Sequence, residues 1–156
     1  MLNQIQKETY ERAAILCSKY EKSEAAIRKK LIEWGLEYDE TKPVIEKLSE
    51  ENFINDVRYA QSYVRDKFRF NKWGKVKIAF NLKTENIASE IIQQAMEEID
   101  AEEYHNTLSN LIDTKNKNMK AANDYERKAR LLRFAQSRGF ESAIILEILD
   151  NQHLPD

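Results

Sequence analysis

The sequence predicts an all-α fold made of three tandem three-helix, helix-turn-helix-like modules, and two observations lead to that prediction. Only three of the 156 residues are Gly and two are Pro, so few residues interrupt helices. In addition, one pattern occurs three times at nearly equal intervals, beginning at Ile27, Ile78 and Leu131. Chains that repeat one helical unit usually present long surfaces for binding.

The repeated pattern describes how a helix ends. Two residues four apart place side chains on one helical face. A residue suited to the left-handed conformation follows, and the next apolar residue folds back onto the helix. The three copies are Ile27, Leu31, Gly35, Leu36; Ile78, Leu82, Asn86, Ile87; and Leu131, Ala135, Gly139, Phe140. We therefore place module boundaries at residues 1–54, 55–100 and 101–156.

The first module contains three predicted helices. Apolar residues at helical spacing indicate a first helix from about Asn3 to Tyr20. Ser23 is suited to cap the second helix, which ends at Gly35. A third helix is predicted from about Asp39 to Glu51.

The second module opens at Asn55 or Asp56, both good N-cap residues, and its first helix continues to Phe68. A loop around residues 71–74 leads into the helix of the second repeat copy. Ser89 is expected to cap the next helix, from Glu90 to about Ile99.

The third module begins with a helix from about Ala101 to Asp113 or beyond. The polar stretch Thr114–Asn123 is the best candidate for a flexible joint. Another helix follows Asn123 or Asp124, and Ser142 is expected to start the last one. Residues 151–156 are expected to fray.

Charge is segregated along a chain whose net charge is only −2. Residues 65–83 contain seven basic residues and one acid, and residues 115–138 contain eight basic residues and two acids. Such segregation steers an acidic protein face or a polyanion towards two places, although a solvated helix surface would give the same pattern. The expected partner-binding or nucleic-acid-binding residues are Arg28, Lys29, Arg65, Lys67, Arg69, Lys72, Trp73, Lys75, Lys77, Arg127, Arg130 and Arg133.

Aromatic residues alternate with cations in the first basic stretch. Phe68 continues an apolar stripe and is expected in the core, whereas Trp73 beside Gly74 is expected to be partly exposed. Phe80 follows Val76 by four residues, so the two pair on one helical face. That face lies roughly opposite the apolar stripe of Ile78 and Leu82. Packing against a neighbouring module is the preferred explanation for Phe80, and an anchor for a partner is the alternative.

Four residues are expected to have structural roles. Gly35 and Gly139 end helices. Asp56 and Arg58 lie at the start of the second module and are expected to tie one module to the next.

The sequence argues against catalysis and against a membrane protein. It has two histidines, His105 and His153, no Cys-x-x-Cys or His-Glu-x-x-His motif, and too few glycines for a phosphate-binding loop. We therefore expect no catalytic residue, no metal and no cofactor.

No apolar run reaches the roughly 20 residues that span a bilayer. The lone Cys17 fits a reducing compartment, so we expect a cytoplasmic protein.

Two collinear groups of residues resemble the RecX family of recombinase regulators. Residues 23–36 read SEAAIRKKLIEWGL, and residues 55–65 read NDVRYAQSYVR, continuing to Gly74, Ile78 and Leu82. The resemblance extends from about Tyr10 to Leu149. Two departures are Asn86 where the family usually has Gly, and a loop enlarged by Lys72 and Trp73.

The resemblance implies a regulator of RecA recombinase in DNA repair, homologous recombination and the SOS response. It implies three modules in an elongated, curved array that binds in the groove of the RecA filament on single-stranded DNA. A protein of this kind restrains ATP hydrolysis, strand exchange and co-protease activity without being an enzyme, and some members also bind DNA directly. We expect a monomer; the alternative is a stand-alone nucleic-acid-binding protein, because helix-turn-helix readers are also built from three-helix units.

Overall fold

A computed structural model describes residues 1–151 of the chain. Within that range it contains nine α-helices, one 3₁₀ turn at Met96–Glu98, and no strand, so the all-α prediction is confirmed. The helices are α1 (Gln4–Lys19), α2 (Glu24–Glu33), α3 (Tyr38–Glu50), α4 (Asp56–Arg69), α5 (Lys75–Thr84), α6 (Ser89–Ala95), α7 (Ala101–Lys117), α8 (Asp124–Ser137) and α9 (Ser142–Asn151). His153 and the predicted fraying beyond Asn151 lie outside the described residues.

The three repeat copies end their helices in the same hydrogen-bonded turn. Gly35, Asn86 and Gly139 have φ values of +110°, +62° and +92°. In each copy the following amide donates to the carbonyl five residues earlier: Leu36 to Leu31 (3.1 Å), Ile87 to Leu82 (3.2 Å) and Phe140 to Ala135 (3.2 Å). These are Schellman motifs, and the predicted helix stops are confirmed at all three positions.

The chain divides into two compact units. Unit 1 comprises residues 1–62 and 82–95, and unit 2 comprises residues 63–81 and, within the described chain, 96–151. Residues of the predicted middle module are shared between these units. The division into three modules stays a prediction.

In unit 1, helices α1, α2 and α3 pack on one another around a common apolar core. Ile27, Leu31 and Leu48 are completely buried, and each such side chain contributes about 1.5–3 kcal/mol by leaving water. Asn3 and Ser23 cap α1 and α2 through side-chain oxygens that accept from Gln6 and Ala26 amides.

Asp56 and Arg58 at the start of α4 bind backbone and side-chain groups elsewhere in unit 1. The Asp56 carboxylate accepts from the Glu24 amide at the start of α2 (2.9 Å). The Arg58 guanidinium donates to the Glu21 carboxylate (2.6 Å) and to the Asn52 carbonyl (2.9 Å). These bonds join the start of α4 to the segments that precede α2 and follow α3.

In unit 2, helices α7, α8 and α9 pack on one another. Leu108, Ile112 and Ile145 are completely buried. Of the two predicted starting points of α8, Asn123 is the N-cap, because its side chain accepts from the Glu126 amide (2.8 Å).

Two details of the predicted helix boundaries are wrong. Ser89 is the first residue of α6 rather than its N-cap, whereas Ser142 starts α9 as predicted. Helix α7 continues to Lys117, so the first part of the predicted joint Thr114–Asn123 is helical. The rest is tied to α8, since the Arg130 guanidinium donates to the Lys120 carbonyl (2.7 Å).

The glycines that end α2 and α8 have different surroundings. A Cβ on Gly35 would have no heavy atom within 4 Å. A Cβ on Gly139 would lie 2.2 Å from the Lys77 Cβ and 2.8 Å from the Lys77 amide nitrogen. Position 35 therefore favours glycine only because its φ is positive. Position 139 favours glycine for the same reason and also because α5 lies too close to leave room for a side chain.

We expect Gly139→Ala to lower the free energy of unfolding by about 2–4 kcal/mol, since left-handed strain costs about 1–2 kcal/mol and overpacking adds about 1–3. Gly35→Ala is the matched control and should cost only about 1–2 kcal/mol. Urea denaturation followed by circular dichroism measures both. Equal losses would show that α5 does not approach Gly139 closely in solution.

Candidate partner-binding surface

The basic-aromatic segment, residues 65–77, comprises the end of α4, a turn and the start of α5. Trp73 lies in the turn and is partly exposed, as predicted. The Lys67 and Lys77 ammonium groups lie 4.9 Å and 4.4 Å from the centre of the Trp73 indole. Both distances are within the range of a cation–π interaction, so the fold brings these three candidate residues together.

Three successive amides fix the start of α5. The Gly74 amide donates to the Arg138 carbonyl (2.8 Å), and the Val76 amide donates to the Gly139 carbonyl (2.9 Å). Between them, the Lys75 amide donates to the Tyr104 hydroxyl (2.9 Å). These three donors are thus satisfied by the protein itself, and they are not available to a phosphate as free helix N-terminal amides would be.

The approach of the two backbones leaves no room for a side chain at Gly74. A Cβ there would lie 2.3 Å from the Gly139 carbonyl oxygen. Sequence reasoning placed Gly74 in a loop and Gly139 at a helix end, and it missed that the two residues meet. Their separation in sequence leaves no local signal of this contact.

Tyr104 on α7 completes the attachment, and sequence reasoning did not identify this role. It is 3% exposed, and its hydroxyl donates to the Glu141 carboxylate. Burial, reinforced by the hydrogen bond to Glu141, raises the pKa of Tyr104 well above its ordinary value. The ring contacts Phe68 and Phe140, with centroid separations of 5.7 Å and 5.1 Å.

The other cations of the basic-aromatic segment differ in whether they interact with neighbouring groups of the chain. The Arg65 guanidinium pairs with the Glu98 carboxylate (3.3 Å), and the Lys75 ammonium lies 4.8 Å from the centre of the Tyr104 ring. Arg69 and Lys72 are exposed. Lys72 has a φ of +56° and occupies the turn directly before Trp73.

Large apolar side chains in and next to this segment are exposed. Phe70, Val76 and Phe80 are 77%, 55% and 66% exposed. The preferred explanation of Phe80 as a packing residue is wrong, because α5 buries Ile78 and Leu82 and presents Val76 and Phe80 to solvent. The prediction that Phe68 is a core residue is confirmed, since it is 5% exposed.

Two of the three candidate cations on α8 are engaged by neighbouring groups. The Arg127 guanidinium donates to the Asn116 side-chain oxygen (2.5 Å). Arg130, besides its bond to the Lys120 carbonyl, lies 3.9 Å from the Glu126 carboxylate. Arg133 is exposed, so this helix offers one clearly projecting guanidinium among the candidates.

The remaining candidates, Arg28 and Lys29, lie on α2 in unit 1. The Arg28 guanidinium donates to the Thr41 hydroxyl (3.3 Å) and lies 3.6 Å from the Glu24 carboxylate. Lys29 is exposed. Both residues line a groove in unit 1 together with Ala25, Ile32, Glu33, Tyr38 and Asn86.

Across residues 1–151, no group of three or more His, Cys, Asp and Glu side chains is arranged to hold a metal ion. In that part of the chain, no helix has both the length and the apolar character needed to cross a membrane. His105 is exposed on α7.

Comparison with known families identifies the chain. The family model for the second three-helix domain of RecX matches residues 55–96, and the model for the third matches residues 102–149. Together they match more than half of the chain. The chain belongs to the RecX family.

Curated relatives in this family carry the name Regulatory protein RecX. The protein from Clostridium perfringens strain 13 is 30% identical over 139 residues, covering 85% of this chain and 65% of that protein. The protein from Pelodictyon phaeoclathratiforme is 27% identical over 119 residues, covering 76% of this chain and 72% of that protein. The chain thus spans about 65% of the length of the clostridial RecX protein.

Two solved structures share the fold. RecX from Lactobacillus salivarius superposes with a TM-score of 0.83 at 21% identity, covering 94% of this chain and 96% of that one. A second structure of a regulatory protein RecX has a TM-score of 0.82 at 24% identity, covering 94% and 72%. The RecX fold predicted from the sequence is confirmed.

We expect Tyr104→Phe to lower the free energy of unfolding by about 1–3 kcal/mol, because it leaves the part-buried Lys75 amide without its acceptor. Tyr125→Phe is the matched control. Tyr125 is 85% exposed, and its change should stay within about 0.5 kcal/mol. Urea denaturation at neutral pH measures both.

The effect of Tyr104→Phe should also depend on pH. Because the pKa of Tyr104 is raised in the folded chain, the unfolded chain loses this proton first, near pH 10. The stability of the parent then falls as pH rises above about 10, and the difference between parent and variant should shrink there. A difference that stays constant to about pH 11 would argue against a buried hydroxyl at this position.

Proposed function

We propose that this protein is a non-enzymatic regulator of the RecA recombinase, which binds in the groove of the RecA filament on single-stranded DNA and restrains its activity. The supporting observation is the collinear match to two RecX domains at residues 55–96 and 102–149. Relatives named Regulatory protein RecX agree with a regulatory role.

The basic-aromatic segment lies within the part of the chain that matches the second RecX domain. Arg69 and Lys72 are exposed, and Lys67 and Lys77 flank Trp73. We propose that these side chains make contacts with the filament. Arg133 and Lys29, which are exposed on α8 and α2, are further candidates.

As a partner, an acidic protein surface fits this distribution of charges better than free DNA does. The whole chain has a net charge of −2, which would repel free polyanions at long range, whereas nucleic-acid-coating proteins are usually basic overall. Local cations can still steer an acidic protein surface over short distances. We therefore propose that contacts to RecA dominate over contacts to DNA.

The decisive experiment adds the protein to preassembled RecA filaments on single-stranded DNA and follows ATP hydrolysis and strand exchange. We expect both to fall as the protein approaches saturation. Unchanged rates at saturating protein would contradict the proposed function. Base-dependent binding to duplex DNA in moderate salt would instead support the stand-alone nucleic-acid-binding alternative.

Reversal of two exposed cations tests the contact surface. Arg69→Glu with Lys72→Glu should slow association with the filament by about tenfold at low salt, because surface charges act mainly on the association rate. The difference should narrow as salt screens the charges. Surface plasmon resonance on immobilised filaments measures the rate.

The control carries the same change in net charge on unit 1. Lys7 and Lys42 are exposed, and Lys7→Glu with Lys42→Glu should slow association by less than about threefold. If the two double variants associate equally slowly, net charge alone accounts for the effect and the segment has no special role.

A further inference from the structure

The exposed face of α5 holds an apolar pair that the cation-based account of binding leaves unexplained. Val76 and Phe80 are one helical turn apart, so they lie on the same face. They are 55% and 66% exposed, while the buried stripe of the same helix is formed by Ile78 and Leu82. A surface helix of a soluble protein normally places polar side chains opposite its buried stripe.

Resting on the proposed function, we infer that Val76 and Phe80 form an apolar anchor that inserts into an apolar, carboxylate-rimmed pocket on the recombinase protein of the filament. The occupant of this face is therefore a protein surface and not a nucleic acid base.

The backbone that carries the anchor is held in place before binding. The amides of Gly74, Lys75 and Val76 donate to Arg138, Tyr104 and Gly139, at 2.8–2.9 Å. Val76 itself is one of the fixed residues. An anchor on a fixed backbone loses little conformational entropy when it binds, which favours tight contact.

Nucleic acid is a poor match for the same face. The amides of Gly74, Lys75 and Val76 are already satisfied, so these three cannot hold a phosphate. Of the pair, only Phe80 has a π-face on which a base could stack, and Val76 has none. The Trp73 indole, in the turn before α5, already has the Lys67 and Lys77 ammonium groups within 5 Å of its centre, so a stacking base would compete with cations for the ring.

The charges around the anchor indicate the chemistry of the pocket. Lys75 and Lys77 flank Val76 in sequence, and Lys72 is exposed in the preceding turn. Residues 65–83 carry one acid among seven cations. Opposite charge on the partner is thus expected at the rim, while a buried apolar contact at the centre supplies most of the affinity, as in other protein interfaces.

The test compares binding of the full chain to immobilised recombinase filaments and to the same single-stranded DNA without recombinase. The double variant Val76→Ser with Phe80→Ser should bind filaments about tenfold or more weakly, because it dissociates faster. Binding to naked DNA should stay within about twofold of the parent, because the pair does not contact bases.

The control removes one aliphatic and one aromatic side chain from other exposed positions. Ile15 and Tyr125 are 59% and 85% exposed, and Ile15→Ser with Tyr125→Ser should change filament affinity by less than about threefold. Thermal unfolding of both double variants verifies that each remains folded.

The possible outcomes separate the inference from the proposed function. If the parent binds filaments and the two double variants bind equally well, the anchor is wrong and the proposed function survives. If Val76→Ser with Phe80→Ser weakens binding to naked DNA as much as binding to filaments, the face binds nucleic acid and the inference is overturned. If the parent does not bind filaments, the proposed function and the inference fail together.

Discussion

The attachment of α5 to the turn after α8 is the constraint on which the candidate surface depends. Three consecutive amides, at Gly74, Lys75 and Val76, donate to oxygens of Arg138, Tyr104 and Gly139. Bonds from successive residues fix both the position and the direction of a helix, because a rotation that kept one bond would break the others. The direction of α5 in turn determines that Ile78 is buried and that Phe80 projects into solvent.

The same attachment gives one glycine two functions. Gly139 ends α8 with a positive φ, as Gly35 ends α2 and Asn86 ends α5. Only Gly139 also meets another backbone, since a Cβ there would overlap Lys77. Asn satisfies the first requirement because its short polar side chain tolerates the left-handed conformation. Such a side chain could not satisfy the second.

Exposure separates the cations that can bind a partner from those that stabilise the chain. Arg58, Arg127 and Arg130 bind carbonyls and carboxylates close to their own helices. Arg69, Lys72 and Arg133 are exposed. A cation that is already hydrogen-bonded within the protein must give up that bond to bind elsewhere, so the exposed group is the more effective partner contact. A charge run in a sequence therefore overstates the number of cations that are available.

The sequence by itself determined where the helices lie and where three of them end. Apolar spacing located all nine helices of the described chain, and the positions of Gly35, Asn86 and Gly139 located three of the stops, because helix formation and helix termination depend on residues within one or two turns. Residues 55–65 also carried enough of the family pattern to indicate RecX.

Only the tertiary structure decided how the candidate residues are used. It placed Phe80 in solvent, paired Arg65 with Glu98, and brought Gly74 against Gly139. These outcomes depend on contacts between residues far apart in the chain, and periodicity within one helix does not record which other helix it meets.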